Sequence, residues 1–145
     1  VPVIGGGTTR FQPVYVADIA RAIVNIIDNR LGAGQTFELG GPDIVTLREM
    51  FEFTLKAIDR KRVLAPLPFP FARLKATFLQ LLPKPLLTTD QVRLLRRDNV
   101  VSDEAIREHR TLADLGVTPQ AYEAIVPAYL EQYRRTGSYG APSHA

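Results

Sequence analysis

Few residues of this chain have the type and spacing that covalent or redox chemistry needs. Gly5-Gly6-Gly7 offers a G-x-G whose backbone N–H groups suit a pyrophosphate, but Arg10 stands where a dinucleotide fingerprint has its third glycine. No helical pattern follows at once, so the run reads as a turn between strands. His109 lies in a charged stretch and His144 in the C-terminal tail, and neither has the triad or metal-ligand company that catalysis requires. Asp103 and Glu104 read as first-turn helix charges rather than as an acid/base pair. With no Cys there is no disulfide, thiol nucleophile, Cys-ligated zinc or iron–sulfur cluster. No catalytic residue and no metal ligand is assigned, and the cofactor-binding residues stay unknown.

Charge is distributed unevenly. No acidic residue lies between Asp59 and Asp90, while Arg60, Lys61, Arg62, Arg73, Lys75 and Lys84 fall in that window. The other residues are slightly acidic, and the whole carries a net charge of +3 with a pI near 9.4. A basic protein invites a nucleic-acid reading, but the basic stripe with interleaved aromatic or glycine signatures is missing, so no nucleic acid is expected as a partner. The longest uncharged runs are far short of the ~18 apolar residues that a membrane-crossing helix needs. A hydrophobic fraction of 46% over 145 residues supports one folded domain, expected over residues 1–136 with a flexible tail at 137–145.

The elements that position these residues are legible as an α/β pattern. Phe11 to Val16 is extended in character, and Asp18 is placed to cap a helix whose Ile19, Ala22, Ile23, Ile26 and Ile27 share one face. Asn29 and Gly32 supply its stop. Thr36 to Leu39 alternates like a strand that Gly40, Gly41 and Pro42 end. Thr46 with Glu49 forms a capping box for a helix with Leu47, Met50, Phe51, Leu55 and Ile58 on its apolar side. Val63 to Pro70 is expected to be extended. Phe71, Leu74, Phe78, Leu81 and Leu82 then make an apolar stripe opposite Arg73, Lys75, Thr77 and Gln80. Thr88 with Gln91 is a second capping box, stapled by Leu87 and Val92, for a short helix through Arg97. Asn99 to His109 shows no clear pattern. Thr118 with Pro119 is expected to launch a long last helix that Pro127 kinks or splits. The expected fold is an α/β fragment with a few short strands and about five helices.

The run Gly5-Gly6-Gly7-Thr8-Thr9-Arg10-Phe11-Gln12-Pro13-Val14-Tyr15-Val16, with Asp18-Ile19-Ala20 and Phe37-Glu38-Leu39-Gly40-Gly41-Pro42, resembles the second half of extended and atypical short-chain dehydrogenase/reductases. The likeness is in particular to the NAD-dependent epimerase/dehydratase-like proteins that include the nucleotide-binding accessory subunit of respiratory complex I and its bacterial relatives. Leu87-Thr88-Thr89-Asp90-Gln91-Val92 and Tyr129-Leu130-Glu131-Gln132-Tyr133-Arg134 also resemble C-terminal segments of that group.

The resemblance implies a parent protein in which a Rossmann half holds NAD or NADP, and this chain is expected to be the C-terminal substrate or lid part, inactive and without bound cofactor by itself. A Tyr followed four positions later by Lys, the acid pair of short-chain dehydrogenases, occurs nowhere in these residues. Many sugar-nucleotide epimerases of the group place an arginine seven positions before the helix-capping Asp. Phe11 occupies that position here, with Arg10 one residue earlier. A one-residue shift in a strand turns the side chain to the other face, which weakens a sugar-nucleotide substrate. Arg10, Gln12 and Tyr15 are the candidates for lining a substrate cleft. The expected partners are the missing Rossmann half or a second copy of the chain, with complex I as a further one, and the expected place is cytoplasmic or peripheral to the inner face of a membrane. From another class of function, Phe71, Arg73, Leu74, Lys75 and Phe78 form a candidate interaction surface within the basic amphipathic segment 60–89, fitted to a partner or an anionic membrane.

Overall fold

The structure, a computed structural model, describes residues 1–79 and 89–134, with side chains through Thr77 in the first of these stretches. Its elements are β1 (Pro2–Ile4), a 3-10 turn at Gly5–Gly7, β2 (Arg10–Phe11), α1 (Val16–Asn29), β3 (Val45–Thr46), α2 (Leu47–Ala57), β4 (Ala65–Leu67), α3 (Phe69–Leu79), α4 (Thr89–Leu94), α5 (Asp103–Arg107), a 3-10 turn at Ala113–Leu115, α6 (Tyr122–Leu130) and a 3-10 turn at Glu131–Tyr133. This is the expected α/β class, with short strands and six α-helices among the described residues. The chain forms two compact units, one from Val1–Phe11 and Thr46–Asn99, the other from Gln12–Val45 and Val100–Ala145. Each unit is assembled from two separate stretches of sequence.

In the first unit, β1 and β4 pair in parallel with Val3 opposite Pro66. A proline is tolerated there because a two-stranded sheet has only edges. The three glycines that follow β1 all have positive φ, between 61° and 78°. At Gly7 this is obligatory, since an added Cβ would lie 2.6 Å from Val3 Cγ1 and 3.0 Å from the Arg48 backbone nitrogen. The Thr46–Glu49 capping box forms as expected, with Glu49 N–H donating to Thr46 Oγ1 at 3.2 Å and Thr46 N–H donating to Glu49 Oε2 at 2.7 Å.

Helix α3 buries a different face from the one its large residues define. Ala72 and Ala76 are fully buried with Val92 of α4, flanked by Ile4, Leu67 and Phe69. Phe71 and Leu74 stay 62% and 57% exposed. Small side chains allow α3 and α4 to approach closely, and the bulky stripe is left on the outer side. Leu81, Leu82, Leu87 and Thr88, and with them the second capping box, lie outside the described residues, as do the Phe78 side chain and the tail from residue 137.

The core of the second unit is Ala22 of α1 with Leu112, Leu115 and Val117, lined by Val14, Ile26, Phe37 and Leu39. Three expectations are corrected in this unit. Helix α1 starts at Val16 with Tyr15 as its N-cap residue, so Asp18 lies inside the first turn and does not cap. The segment around Phe37 and Leu39 is not a strand, because it pairs only through an isolated parallel bridge between Glu38 and Thr111. Helix α6 starts at Tyr122 rather than after Thr118, with extended Ala121 at its N-cap and the preceding Gln120 N–H held by the Asp18 carboxylate. It runs through Pro127, which is neither an end nor a break, and gives way to a 3-10 turn after Leu130. The helix stops of α1 are Arg30 in the left-handed conformation, φ 51°, and then Gly32.

The stretch from Asn99 to His109 resolves into a bridge and a helix. Asn99 pairs with Phe11 in parallel. Ser102 caps α5 by accepting from the Ala105 N–H at 3.1 Å.

Candidate functional site

Arg10 lies in the first unit and is held at two points by one carboxylate. Its Nε donates to Asp98 Oδ2 at 2.8 Å and its backbone N–H donates to Asp98 Oδ1 at 2.8 Å. The Asn99 N–H completes the fastening on the Arg10 carbonyl at 2.8 Å. These donors hold the Asp98 carboxyl below the usual carboxylate range. The pair ties β2 to the end of the α4 segment.

Gln12 belongs to the second unit and is engaged at both ends of its amide. Nε2 donates to the Gly41 carbonyl at 2.8 Å, and Oε1 accepts from the Val101 N–H at 2.9 Å. Gly40 must be glycine for this, because a Cβ would lie 2.5 Å from the Gln12 side chain. An amide fixed between two backbone groups orders two loops and has little freedom to turn toward a ligand.

Tyr15 sits at the head of α1, near Tyr129, Asp18 and Arg21. Its hydroxyl shares a hydrogen bond with Tyr129, and this bond, followed by the neighbouring phenol's charge, raises its pKa above the ordinary tyrosine value. Beside it, the fully buried Asp18 pairs with Arg21 Nη1 at 2.6 Å and accepts from the Gln120 backbone N–H at 2.8 Å and Gln120 Nε2 at 3.3 Å. A phenol in this state keeps its proton at neutral pH. It serves as a hydrogen-bond donor or acceptor and not as a base. The proposed cleft residues thus fall in different units, Arg10 in one and Gln12 with Tyr15 in the other. The Asp18–Gln120 pairing, whose members are 102 positions apart, has no local signal in the sequence.

The residues present do not fit a dinucleotide. Gly5–Gly7 follows β1 as a phosphate-binding glycine run follows its strand, yet it leads into β2 and not into a helix whose N-terminus could receive the pyrophosphate. Among the described residues no group of His, Cys, Asp and Glu can hold a metal ion. No helix among them is long and apolar enough to cross a membrane.

Phe71, Arg73, Leu74 and Lys75 are all exposed on α3. On α1, Val16, Ile23 and Ile27 leave a second apolar stripe, each more than half exposed.

An α/β chain of short strands and helices, built of two units each drawn from two stretches of sequence and showing no dinucleotide fold among the described residues, is the class defined by this geometry. Comparison with known proteins places it more narrowly. No family model matches the chain. It is 38% identical over 147 aligned residues to the mitochondrial NADH dehydrogenase [ubiquinone] 1 alpha subcomplex subunit 9 of Arabidopsis thaliana, covering 94% of this chain and 36% of that protein. It is 28% identical to the mitochondrial NADH-ubiquinone oxidoreductase 40 kDa subunit of Neurospora crassa, with the same coverage. The crystal structure of gox2253 shares the fold, with a TM-score of 0.59 at 18% identity, over 92% of this chain and 40% of that one. Over nearly its whole length the chain is a homologue of part of these complex I subunits. It spans about a third of the length of the curated relatives it matches.

Proposed function

We propose that the chain acts as the C-terminal substrate or lid region of a longer protein that binds NAD or NADP, either an epimerase/dehydratase-like enzyme or a non-catalytic accessory subunit of the complex I type, and that it has no catalytic competence alone. The observation that carries this reading is the alignment of almost the whole chain with little more than a third of each relative. The exposed Val16, Ile23 and Ile27 stripe supports it, because a helix face of that kind is normally covered. Residues 1–136 fold as one domain in this reading, and its partner is a Rossmann half, with a complex I assembly around both and a position peripheral to a membrane. In the absence of that half, a second copy of the chain covers the stripe. Light scattering of the purified chain tests this: self-association that grows with concentration is expected, and replacing Ile23 and Ile27 by Gln should abolish it. A stable monomer at high concentration would count against the covered face.

A second reading is favoured by one specific observation, the exposure of Phe71 and Leu74 beside Arg73 and Lys75 on α3. An apolar stripe flanked by basic side chains fits an anionic membrane surface, where each cation contributes about 1 kcal/mol. Sedimentation with vesicles distinguishes it. Binding to anionic and not neutral vesicles, weakened by salt and by Lys75→Glu, is expected; equal partitioning to both leaves α3 without a membrane role.

A further inference from the structure

We propose that Arg73, Arg93 and Arg96 form a binding pocket for a phosphate group. The three guanidinium side chains line a cavity of about 350 Å³ between α3 and the α4 segment, together with Thr89, Asp90 and Val92. Asp90 is the one carboxylate of that lining, so the pocket carries a net charge of +2. It is also built on a firm floor. Val92 is packed with Ala72 and Ala76 in the core of the first unit, and this contact fixes the two segments that carry the arginines.

Arg96 is held in place by an aromatic ring. Its guanidinium carbon lies 5.3 Å from the centroid of Phe69, within cation–π range. The ring in turn occupies the space over Gly5, where any Cβ would collide with it. The glycine run that fails as a dinucleotide fingerprint therefore serves this pocket indirectly, by leaving room for the ring under Arg96. None of the three arginines pairs with a carboxylate among the described residues. Guanidinium groups are planar forks suited to bidentate contact with phosphate oxygens, and three arginines line this cavity with a single carboxylate that offsets only part of their charge.

The larger basic groove around Arg48, Lys56 and Arg60–Arg62 is a weaker site for an anion. Glu52 and Asp59 share its lining, and Arg48 is already occupied by the Gly6 carbonyl and Glu52.

The chemistry recognised is a phosphate group with more than one charged oxygen, carried by a soluble phosphate ester or by a phospholipid headgroup. The pocket overlaps the α3 docking surface only at Arg73: Arg93 and Arg96 lie outside segment 60–89, and Lys75 lies outside the pocket.

Calorimetric titration of the purified chain with inorganic pyrophosphate, paired with flotation on phosphatidylcholine vesicles with and without phosphatidic acid, tests it. Saturable binding in at least one of the two arms is expected, weakened about tenfold or more by Arg93→Gln and by Arg96→Gln and unaffected by Arg62→Gln, and in the pyrophosphate arm unaffected by Lys75→Gln as well. Binding in the pyrophosphate arm assigns a soluble ligand, and binding only to vesicles that contain phosphatidic acid assigns a lipid headgroup. Phe69→Leu, which removes the ring under Arg96 and keeps all three charges, should weaken binding severalfold and so remains informative if an arginine variant does not fold. No binding in either arm overturns the pocket. Equal weakening by Arg62→Gln and Arg93→Gln also overturns it, since that result means general attraction to a basic surface.

Discussion

The carboxylate of Asp18 accepts the backbone N–H of Gln120 at 2.8 Å, and so joins the first turn of α1 to the approach of α6. The same carboxylate is fully buried and receives Arg21 on its other oxygen. A buried carboxylate with three donors is satisfied, but each donor depends on it. Asp18→Ala leaves the Gln120 N–H without its partner. A loss of about 1–3 kcal/mol in unfolding free energy is expected, measured by chemical denaturation. Asp18→Asn, which retains an acceptor oxygen, should cost less. Equal stability of Asp18→Ala and the parent would show that the link is dispensable.

Gly7 has a positive φ of 78° and closely spaced neighbours on the side where a Cβ would project. Gly7→Ala should therefore destabilise the first unit by more than the ~1 kcal/mol that a left-handed alanine costs by itself. Gly6, with φ 72° and open space around it, bears only the conformational term. The Gly7→Ala variant should melt clearly below Gly6→Ala; the reverse order would contradict the packing described around Val3 and Arg48.

What was legible in the sequence is what is local. The Thr46–Glu49 box spans four residues, and the Ser102 cap of α5 is just as local but is masked by the charges around it. The apolar period of α3 was also legible, but not its direction. Phe71 and Leu74 outweigh Ala72 and Ala76 in hydrophobicity, yet close helix packing selected the alanines. Asp18 failed for a different reason. Its type and position fit an N-cap, but its carboxylate is engaged by a partner 102 residues away and the N-cap lies three residues earlier, at Tyr15. Glu38 is similar: its neighbours alternate like a strand, while its carboxylate is engaged by the Ser102 N–H at 2.8 Å and the Ser102 hydroxyl at 2.9 Å. Of the cleft candidates, the Arg10 side chain is paired with the Asp98 carboxylate and the Gln12 amide with two backbone groups, partners 29 to 89 positions away in the sequence.

Acid should weaken the fold in a predictable direction. Hydrogen bonds from the Ser102 N–H, the Thr46 N–H, the Arg10 N–H and the Thr111 hydroxyl hold Glu38, Glu49, Asp98 and Asp114, respectively, below their ordinary carboxylate values. The folded chain therefore binds fewer protons than the unfolded chain in mild acid. The stability from these bonds is complete above the unfolded values, at about pH 4–5, and is lost as pH falls through the lower folded ones. Denaturation midpoints should be level near neutrality and decline below about pH 4.5, and Glu38→Gln should flatten the decline. Midpoints that rise with acidification would contradict these contacts.

The Tyr15–Tyr129 hydrogen bond makes a spectroscopic prediction. With Tyr129→Phe the donor or acceptor is lost, and the titration of Tyr15 should fall toward the ordinary value of about 10. Phenolate absorbance, taken as the difference between chains with and without Tyr15→Phe, reports that residue alone. No movement on Tyr129→Phe would place the cause of the raised value elsewhere.

The central claim is that this chain is one part of a dinucleotide-binding protein and does not itself hold the cofactor. Calorimetric titration of the isolated chain with NADH and with NADPH tests it most directly. The glycine run leads into β2 and not into a helix, so no saturable binding of either dinucleotide beyond that of pyrophosphate alone is predicted. Saturable micromolar binding of NADH or NADPH at a single site, unaffected by Arg93→Gln, would contradict the claim.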